Sequence, residues 1–221
     1  MKKYPRTYHC SFSPEVHSDD KTISEEIENE LILNKEISIS IKMDGGNTCI
    51  KPKEGVFARS HTEQTIHPTF DYIKNIHFYS KIGLLNENYY YFGENMYGKH
   101  SIEYTELDDY FYIFNILDIK NNEWLSTEEV IKEAKRCNFK IAPIIFNGKW
   151  GKTKKEFKIF LLDILKNKKF FGAYPEGFVI RNKNRIKVNE FSDNFIKLVR
   201  KGHVQTDKHW SKNWEKQELK K

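Results

Sequence analysis

The chain has 221 residues, of which 38% are hydrophobic and 14% aromatic, and this content excludes a disordered polypeptide and predicts a packed globule. The formal net charge of +6 favours a polyanionic partner, most simply a nucleic acid. Three scattered cysteines, Cys10, Cys49 and Cys137, exclude a disulfide framework or a zinc site, and no apolar run has the length of a membrane span. We therefore expect a cytoplasmic protein with no membrane partner, and no obligate protein partner is evident.

No internal repeat or low-complexity linker divides the sequence. We expect one domain over residues 1–221, with an irregular lead-in over about 1–21 and a basic tail over about 203–221. The tail contains Trp210 and Trp214, which we expect to pack on the domain rather than stack on a base.

The first predicted elements are a helix and three strands. Thr22 and Glu25 have the spacing of a capping box, which predicts a helix from there to about Leu33. Over residues 37–42 isoleucine alternates with polar side chains, a pattern typical of a half-buried strand. Two further strands are predicted at 47–51 and 55–59.

A lysine ends the strand over 37–42, directly before a glycine turn. Asp44, Gly45 and Gly46 predict a tight turn, because glycine tolerates backbone conformations that other residues do not. Backbone N–H groups in such a turn can face a phosphate, so Lys42 is a candidate nucleophilic amine. The pattern Lys-x-Asp-Gly is weak on its own, and a solvated lysine at a hairpin would explain it equally well.

The rest of the chain predicts three more helices among further strands. Pro68 can begin a helix whose Phe70, Ile73 and Ile76 face the core, and Ser126 and Thr153 begin two others with capping-box spacing. The remaining predicted strands are 89–92, 111–118, 141–146 (peripheral because of Pro143) and 195–199, with a hairpin of 177–181 and 186–188 across 182–184.

Because the helices do not alternate regularly with strands, an α+β domain of antiparallel sheets is favoured over a doubly wound one. Five side chains stand at or near predicted strand ends, where a groove would bring them together: Arg59, Glu94, Phe114, Glu176 and Lys197. In isolation each of them would be surface charge, a turn residue or, for Phe114, core.

Taken in order, these stretches resemble the nucleotidyltransferase motifs of covalent lysyl-nucleotide enzymes, and among them the RNA ligases of the bacteriophage Rnl2-like type. The matching stretches are Lys42-x-Asp44-Gly45-x-Asn47 (motif I), Gly93-Glu94 (motif III), Phe111 to Phe114 (motif IIIa), Glu176-Gly177 (motif IV) and Lys197 (motif V). Asn47 resembles the RNA ligases, whereas DNA ligases and capping enzymes more often have arginine there. Val199 stands where motif V usually has a second lysine, and Arg200 and Lys201 are the candidate substitutes for it.

The resemblance implies a nucleotidyltransferase (adenylyltransferase) domain of antiparallel β-sheets flanked by helices, with the nucleotide groove between them and no OB domain. It implies an ATP-dependent RNA ligase that joins RNA 3'-OH and 5'-phosphate ends through lysyl-AMP and an RNA-adenylate. ATP and Mg²⁺ are the expected cofactors, with Mn²⁺ as a substitute. The alternatives are a DNA ligase, a capping-type guanylyltransferase, or an inactive RNA-binding module on the same fold.

The resemblance also implies a role for each matching residue. Lys42 would be the nucleophile, and Lys197 would contact the α-phosphate. The nucleotide-binding set would be Ile41, Asn47, Arg59, Glu94 (ribose), Phe114 (adenine), Glu176 and Lys197, with Glu176 also at the metal. Asp44 would orient the turn. Candidate substrate contacts are Arg6, His9, His100, Arg200 and Lys201.

An attacking amine must be unprotonated, and the ordinary pKa of lysine is about 10.4. We therefore expect Lys197, Arg59 and a bound metal ion to favour the neutral form of Lys42.

Overall fold

Our computed structural model describes residues 3–59, 63–202 and 214–220. Within these ranges the strands are β1 (Tyr8–His9), β2 (Glu36–Lys42), β3 (Gly46–Lys51), β4 (Gly55–Ala58), β5 (Tyr89–Asn95), β6 (Phe111–Asp118), β7 (Glu123–Trp124), β8 (Lys140–Ile141), β9 (Ile144–Lys149), β10 (Gly177–Asn182), β11 (Ile186–Lys187) and β12 (Phe195–Val199).

The α-helices are α1 (Glu25–Asn29), α2 (Thr127–Arg136), α3 (Lys154–Asn167) and α4 (Phe191–Asn194). α1 continues into a π-helical segment (Glu30–Asn34), and a second π-helical segment (Ile73–Phe78) lies between two 3₁₀ turns (Pro68–Phe70 and Tyr79–Lys81). A further 3₁₀ turn (Val188–Glu190) precedes α4. No helix in the described part of the chain is long and apolar enough to cross a membrane.

Two sheets make up the fold, and most of their strand pairs are antiparallel. The first sheet has the order β1-β12-β10-β2-β9. The second has the order β11-β7-β6-β5-β3-β4, and β8 pairs with β6. The chain crosses from the first sheet to the second in the short turn between β2 and β3, so the end of β2 lies at the junction of the sheets. The predicted α+β fold of antiparallel sheets with a few helices is confirmed.

One helix packs on each sheet, with its apolar face toward the core. α3 begins with the capping box of Thr153 and Glu156, and it buries Phe157, Leu161 and Leu165 in the cluster that includes the isoleucines of β2. α2 begins with the capping box of Ser126 and packs on β6 of the second sheet. Both helix starts therefore agree with the sequence prediction.

The predicted hairpin of 177–181 and 186–188 is wrong. β10 pairs with β2 and β12 in the first sheet, whereas β11 pairs with β7 in the second. Arg181 of β10 links the two sheets instead, because its buried guanidinium donates to Asn115 Oδ1 at 2.9 Å and to the Leu125 carbonyl at 2.7 Å. Alternation of apolar and polar residues indicates that a segment is a strand, but it does not indicate which strand it pairs with.

Other boundaries also differ from the prediction. Ser24, rather than Thr22, caps α1, and Ile76 is 45% exposed instead of facing the core. The strand predicted over 141–146 is two strands, β8 and β9, in different sheets. They divide at Pro143, whose carbonyl accepts from the Ile41 N–H at 2.8 Å.

The lead-in and residues 214–220 of the tail both contact the rest of the domain. The lead-in contains β1, which pairs in parallel with β12. Trp214 contacts the ring of Tyr97, with centroids 5.8 Å apart, in agreement with packing on the domain. Trp210 lies outside the described residues.

Candidate active site

Lys42 and Glu176 form the centre of the site. Lys42 at the end of β2 lies opposite Gly177 at the start of β10, so the preceding Glu176 reaches the lysine, with Nζ and Oε2 2.5 Å apart. Gly177 is required here, because a Cβ on it would lie 1.8 Å from the Leu198 carbonyl oxygen of β12. Glu176 is 8% exposed and Lys42 29%, so the pair is shielded from water but reachable.

The second sheet contributes Glu94 and Asn47, which lie opposite each other on β5 and β3. Glu94 Oε1 accepts from the Gly45 N–H at 3.2 Å, which links the carboxylate to the turn after Lys42. The side-chain oxygen of Asn47 is buried and has no hydrogen-bond partner in the described chain. A buried amide oxygen without a hydrogen-bond partner destabilises the fold, and this one is on the residue opposite Glu94.

The charges of this cluster shift two pKa values. Burial favours the neutral amine of Lys42, but the carboxylates of Glu176 and Glu94 oppose it, and the pKa of Lys42 is raised. Burial, together with Glu176 and against the attraction of Lys42, raises the pKa of Glu94 to about 8. The sequence predicts that Lys197, Arg59 and a bound metal ion together favour the neutral amine of Lys42. The protein's own carboxylates act in the opposite direction, so the positive charge of the metal ion remains part of that prediction.

Asp44 holds the turn and a neighbouring loop. Its Oδ2 accepts from the N–H groups of Ser101 and Ile102, both at 2.7 Å, and its own N–H donates to the Tyr104 hydroxyl at 3.0 Å. These contacts agree with an orienting position for Asp44. A Cβ on the adjacent Gly45 would lie 2.5 Å from the Asn95 carbonyl oxygen, so the turn passes too close to β5 for another side chain.

His100 lies on the same loop. Burial lowers the pKa of His100 to about 4; Glu176 opposes this shift and Lys42 adds to it, which places the imidazole in the field of both residues. The ring Nε2 is 3.9 Å from the position of a Cβ on Gly46. His100 is therefore neutral at physiological pH and adjacent to the motif I turn.

Lys197 is on the face of the first sheet that presents Lys42. Val179 of β10 lies opposite Lys197 of β12 and Ser40 of β2, and Ser40 is two residues before Lys42, so the lysines project from the same side. Lys197 Nζ lies 3.1 Å from Asp20 Oδ1.

His9 and Arg200 adjoin the motif V strand. His9 lies opposite Lys197, with Nε2 3.1 Å from Asp20 Oδ2, and burial and the charge of Lys197 lower the pKa of His9. The Arg200 N–H donates to the Glu176 carbonyl at 2.8 Å, so Arg200 directly adjoins motif IV. Lys201 follows β12 and is exposed.

Phe114 packs on Tyr4, and Arg59 follows another strand of the same sheet as Phe114. Phe114 of β6 is half-buried, its ring is 5.4 Å from that of Tyr4, and it lines a cavity of about 30 Å³ with Ser38 and Ser40 of β2. Arg59 directly follows β4 and is exposed. Burial raises the pKa of Tyr4 to about 12, and the charges of Glu94 and Arg59 also act on this hydroxyl. Tyr4 thus packs against one predicted nucleotide contact, Phe114, although no local sequence signal marks it.

Two predicted residues lie apart from this cluster. Ile41 is 2% exposed and faces the core, so only its backbone is available to a ligand. Arg6 pairs with Asp19 at 3.1 Å and lines a separate cavity of about 280 Å³ with Tyr8, Lys21 and Phe191 among others. No group of three or more His, Cys, Asp and Glu side chains suited to a metal occurs within the described ranges.

An RNA ligase family model matches residues 35–199. The chain belongs to the RNA ligase family. The match begins just before β2 and ends with β12, so it includes Lys42, Glu94, Glu176 and Lys197. A search of curated proteins gave no match.

Solved structures of an RNA ligase from Naegleria gruberi have the same fold as this RNA ligase family member. The form with PPi is 18% identical, with a TM-score of 0.63 over 93% of this chain and 59% of that one. A mutant with AMP and Mn is 16% identical (TM-score 0.61; 93% and 60% covered), and a mutant with ATP and Mn is 15% identical (TM-score 0.60; 92% and 62% covered). The present chain therefore spans about 59% of the length of the Naegleria protein.

Proposed function

We propose that this RNA ligase family member is an ATP-dependent RNA ligase of the Rnl2-like type, which joins RNA 3'-OH and 5'-phosphate ends through lysyl-AMP. The observation that carries the proposal is the meeting of Lys42, Glu176, Glu94 and Asn47 at the junction of the two sheets. The Naegleria gruberi structures with ATP, AMP and PPi support the choice of nucleotide. A cytoplasmic setting belongs to the proposal and agrees with three buried free thiols.

In the first step, the lone pair of neutral Lys42 Nζ attacks the α-phosphorus of ATP. A P–N bond forms while the bond to the pyrophosphate oxygen breaks, and the proton of the amine passes to solvent. Lys197, on the same face of the first sheet, is placed to neutralise charge on the α-phosphate. Glu94 would hold the ribose hydroxyls, and Phe114 would contact the adenine.

Oxygen atoms of this cluster suit a hydrated divalent cation. Mg²⁺ keeps most of its water and needs one or two carboxylates, so Glu176 and the unpartnered Asn47 oxygen would be the residues to hold it. A bound Mg²⁺ or Mn²⁺ would supply positive charge that favours neutral Lys42 and stabilises the phosphates. The Naegleria protein has Mn with ATP and with AMP, which supports this choice of metal.

Two transfers to RNA complete the reaction. An oxygen of the RNA 5'-phosphate attacks the lysyl-AMP phosphorus, and a P–O bond forms while the P–N bond breaks. The nitrogen takes up a proton from solvent, so Lys42 leaves as the amine and RNA-adenylate is formed. The RNA 3'-OH then attacks the 5'-phosphorus, loses its proton and displaces AMP. Candidate contacts to the RNA are His9, His100, Arg200 and Lys201, which lie in or beside the cluster, and the more distant Arg6.

Labelling of the protein tests the proposal. Wild type, Lys42→Ala and the control Lys53→Ala are incubated with Mg²⁺ and α-labelled ATP or GTP, and acid-stable label on denatured protein is measured. Lys53 suits as a control because it is a surface lysine, 67% exposed. We expect label from ATP on wild type and on Lys53→Ala but none on Lys42→Ala. Equal label on Lys42→Ala would contradict the nucleophile, and label from GTP alone would indicate a capping-type enzyme.

Sealing assays on nicked RNA and nicked DNA distinguish the polymer, and we expect joining of RNA. An inactive RNA-binding module would take no label, and wild type and Lys42→Ala would bind RNA equally.

A further inference from the structure

Residues 214–220, here called the clasp, return from the end of the chain to the loop that holds Asp44. This loop, residues 97–107, is the Asp44 loop. The Lys99 N–H donates to the Glu215 carbonyl at 2.7 Å, and the Lys220 N–H donates to the Leu107 carbonyl at 2.7 Å. The clasp therefore follows the Asp44 loop along most of its length.

One clasp residue, Gln217, is fully buried and uses every polar group it has. Its side-chain Nε2 donates to the Ile102 carbonyl at 2.8 Å, and its Oε1 accepts from the Tyr104 N–H at 3.1 Å. Its backbone N–H donates to the Tyr97 carbonyl at 3.0 Å, and its carbonyl accepts from the Tyr110 hydroxyl at 2.9 Å. An amide of this reach fixes the spacing of residues 102 and 104.

Those two residues are among the three that hold Asp44, the third being Ser101. Ile102 donates its N–H to Asp44 Oδ2, and the Tyr104 hydroxyl accepts from the Asp44 N–H. Asp44 is two residues after Lys42, and His100 lies on the same loop. A continuous set of hydrogen bonds, buried at Gln217 and partly buried at Asp44, thus runs from Gln217 through the loop to the motif I turn.

We propose that Gln217 is a positioning residue for the nucleophile, because it fixes the Asp44 loop, through which Asp44 sets the direction of Lys42. The inference rests on the proposed function. It assigns to the clasp a task that no local feature of the sequence indicates. A displacement of about 1 Å at a reacting group can cost about 100-fold in rate, so a small shift of the loop is sufficient to slow AMP transfer to Lys42 measurably.

The test compares Gln217→Met, which keeps the length of the side chain but neither hydrogen bond, with two controls. Lys99→Ala removes the ion pairs of Lys99 with Glu103 of the loop and with Glu215 of the clasp, whose carboxylates are 65% and 77% exposed, and leaves the hydrogen bonds of Gln217 in place. Val130→Ala removes two methyl groups from the buried face of α2 and thus lowers stability away from the loop. Should Gln217→Met fail to fold, Gln217→Asn takes its place, since it keeps the amide but is one methylene too short to bridge both partners.

The first measurement is the rate of AMP transfer to Lys42 at saturating ATP, corrected for the folded fraction. We expect a loss of about tenfold or more in Gln217→Met and less than twofold in either control. The second is a double-mutant cycle with Asp44→Ala. Gln217→Met should cost about tenfold or more when Asp44 is present but less than about twofold in Asp44→Ala, whereas Val130→Ala should have the same small effect in both backgrounds. A wild-type rate in Gln217→Met, or independent effects of residues 44 and 217, would overturn the proposal.

Hydrogen exchange separates this inference from the proposed function. The Ser101 and Ile102 amides, which donate to Asp44, should exchange faster in Gln217→Met than in Val130→Ala. If wild type takes no AMP label, the ligase proposal fails. Faster exchange would then still show that Gln217 positions the turn, and unchanged exchange would reject that positioning as well.

Discussion

Lys42 and Glu176 form an ion pair of 2.5 Å at the junction of two sheets, between a strand end and the residue before the opposing strand. The carboxylate keeps the amine protonated, because it raises the pKa of Lys42 against the effect of burial. The same carboxylate is the oxygen ligand that we propose for the metal. The proposed chemistry therefore requires the attraction between Glu176 and Lys42 to weaken before Lys42 can attack.

Glu176→Gln should favour the neutral, nucleophilic form of Lys42 but lower the rate of AMP transfer. Without ATP or metal it should lower the pKa of Lys42, since the strongest opposing charge is removed and burial remains. AMP transfer with ATP and Mg²⁺ should fall by about 100-fold or more, because a transition-state charge partner is lost. The pKa is measured from the pH dependence of Lys42 acetylation by mass spectrometry, with Lys53 as an internal control. An unchanged profile for Lys42 would contradict the coupling of the pair.

Lys197→Ala should be severe and Lys201→Ala mild. Lys197 is 18% exposed, shares a sheet face with Lys42 and already has an anionic partner in Asp20, whereas Lys201 is exposed beyond the strand end. We expect a loss of about 100-fold or more in AMP transfer for Lys197→Ala and only a few-fold for Lys201→Ala. The reverse order would show that motif V is placed wrongly.

Phe114→Leu should raise the KM for ATP by several-fold, because a stacked ring contributes about 0.5–1.5 kcal/mol beyond its buried area. The alternative is that Phe114 only packs against Tyr4 and the core. Phe92→Leu is the matched control, since Phe92 is a fully buried ring on the neighbouring strand β5. The KM for ATP and the midpoint of thermal unfolding are measured for both variants. Equal loss of stability with an unchanged KM in both would make Phe114 a core residue.

The sequence predicts the centre of the site because its signals are local. Lys42 lies close to a glycine turn, Glu94 and Glu176 each adjoin a glycine, and at Gly45 and Gly177 the structure shows the close backbone approach that excludes a side chain. Strand patterns also give most strand positions. They do not give strand partners, which is why the sequence predicts a hairpin of β10 and β11 that the structure does not contain.

Long-range partners explain what the sequence does not reveal. Asp20 pairs with Lys197, and Gln217 bonds to Tyr104, each across more than 100 residues. The raised pKa of Lys42 has the same kind of cause: which charges surround an amine depends on how the sheets meet, and Glu94 and Glu176 come from different sheets.

Glu94→Gln should stabilise the protein in the absence of nucleotide at pH 8, although it should impair AMP transfer. Burial and Glu176 raise the pKa of Glu94 to about 8 from an ordinary value of 4.5, so between these values the native state binds more protons than the unfolded state. The free energy of unfolding of the wild type should therefore fall as pH rises through this range, by about 1.4 kcal/mol for each step of one in pH. Because glutamine cannot ionise, the free energy of unfolding of the variant should not have this pH dependence.

Urea unfolding at pH 5 and pH 8 measures the difference. We expect the free energy of unfolding of Glu94→Gln to exceed that of the wild type by on the order of a few kcal/mol at pH 8 and by much less at pH 5. The control is Glu87→Gln, which makes the same charge change at a side chain that is 67% exposed and should follow the wild type at both pH values. If the wild type and Glu94→Gln depend on pH alike, the carboxyl of residue 94 is ionised at neutral pH and the two sheets must accommodate its charge in another way.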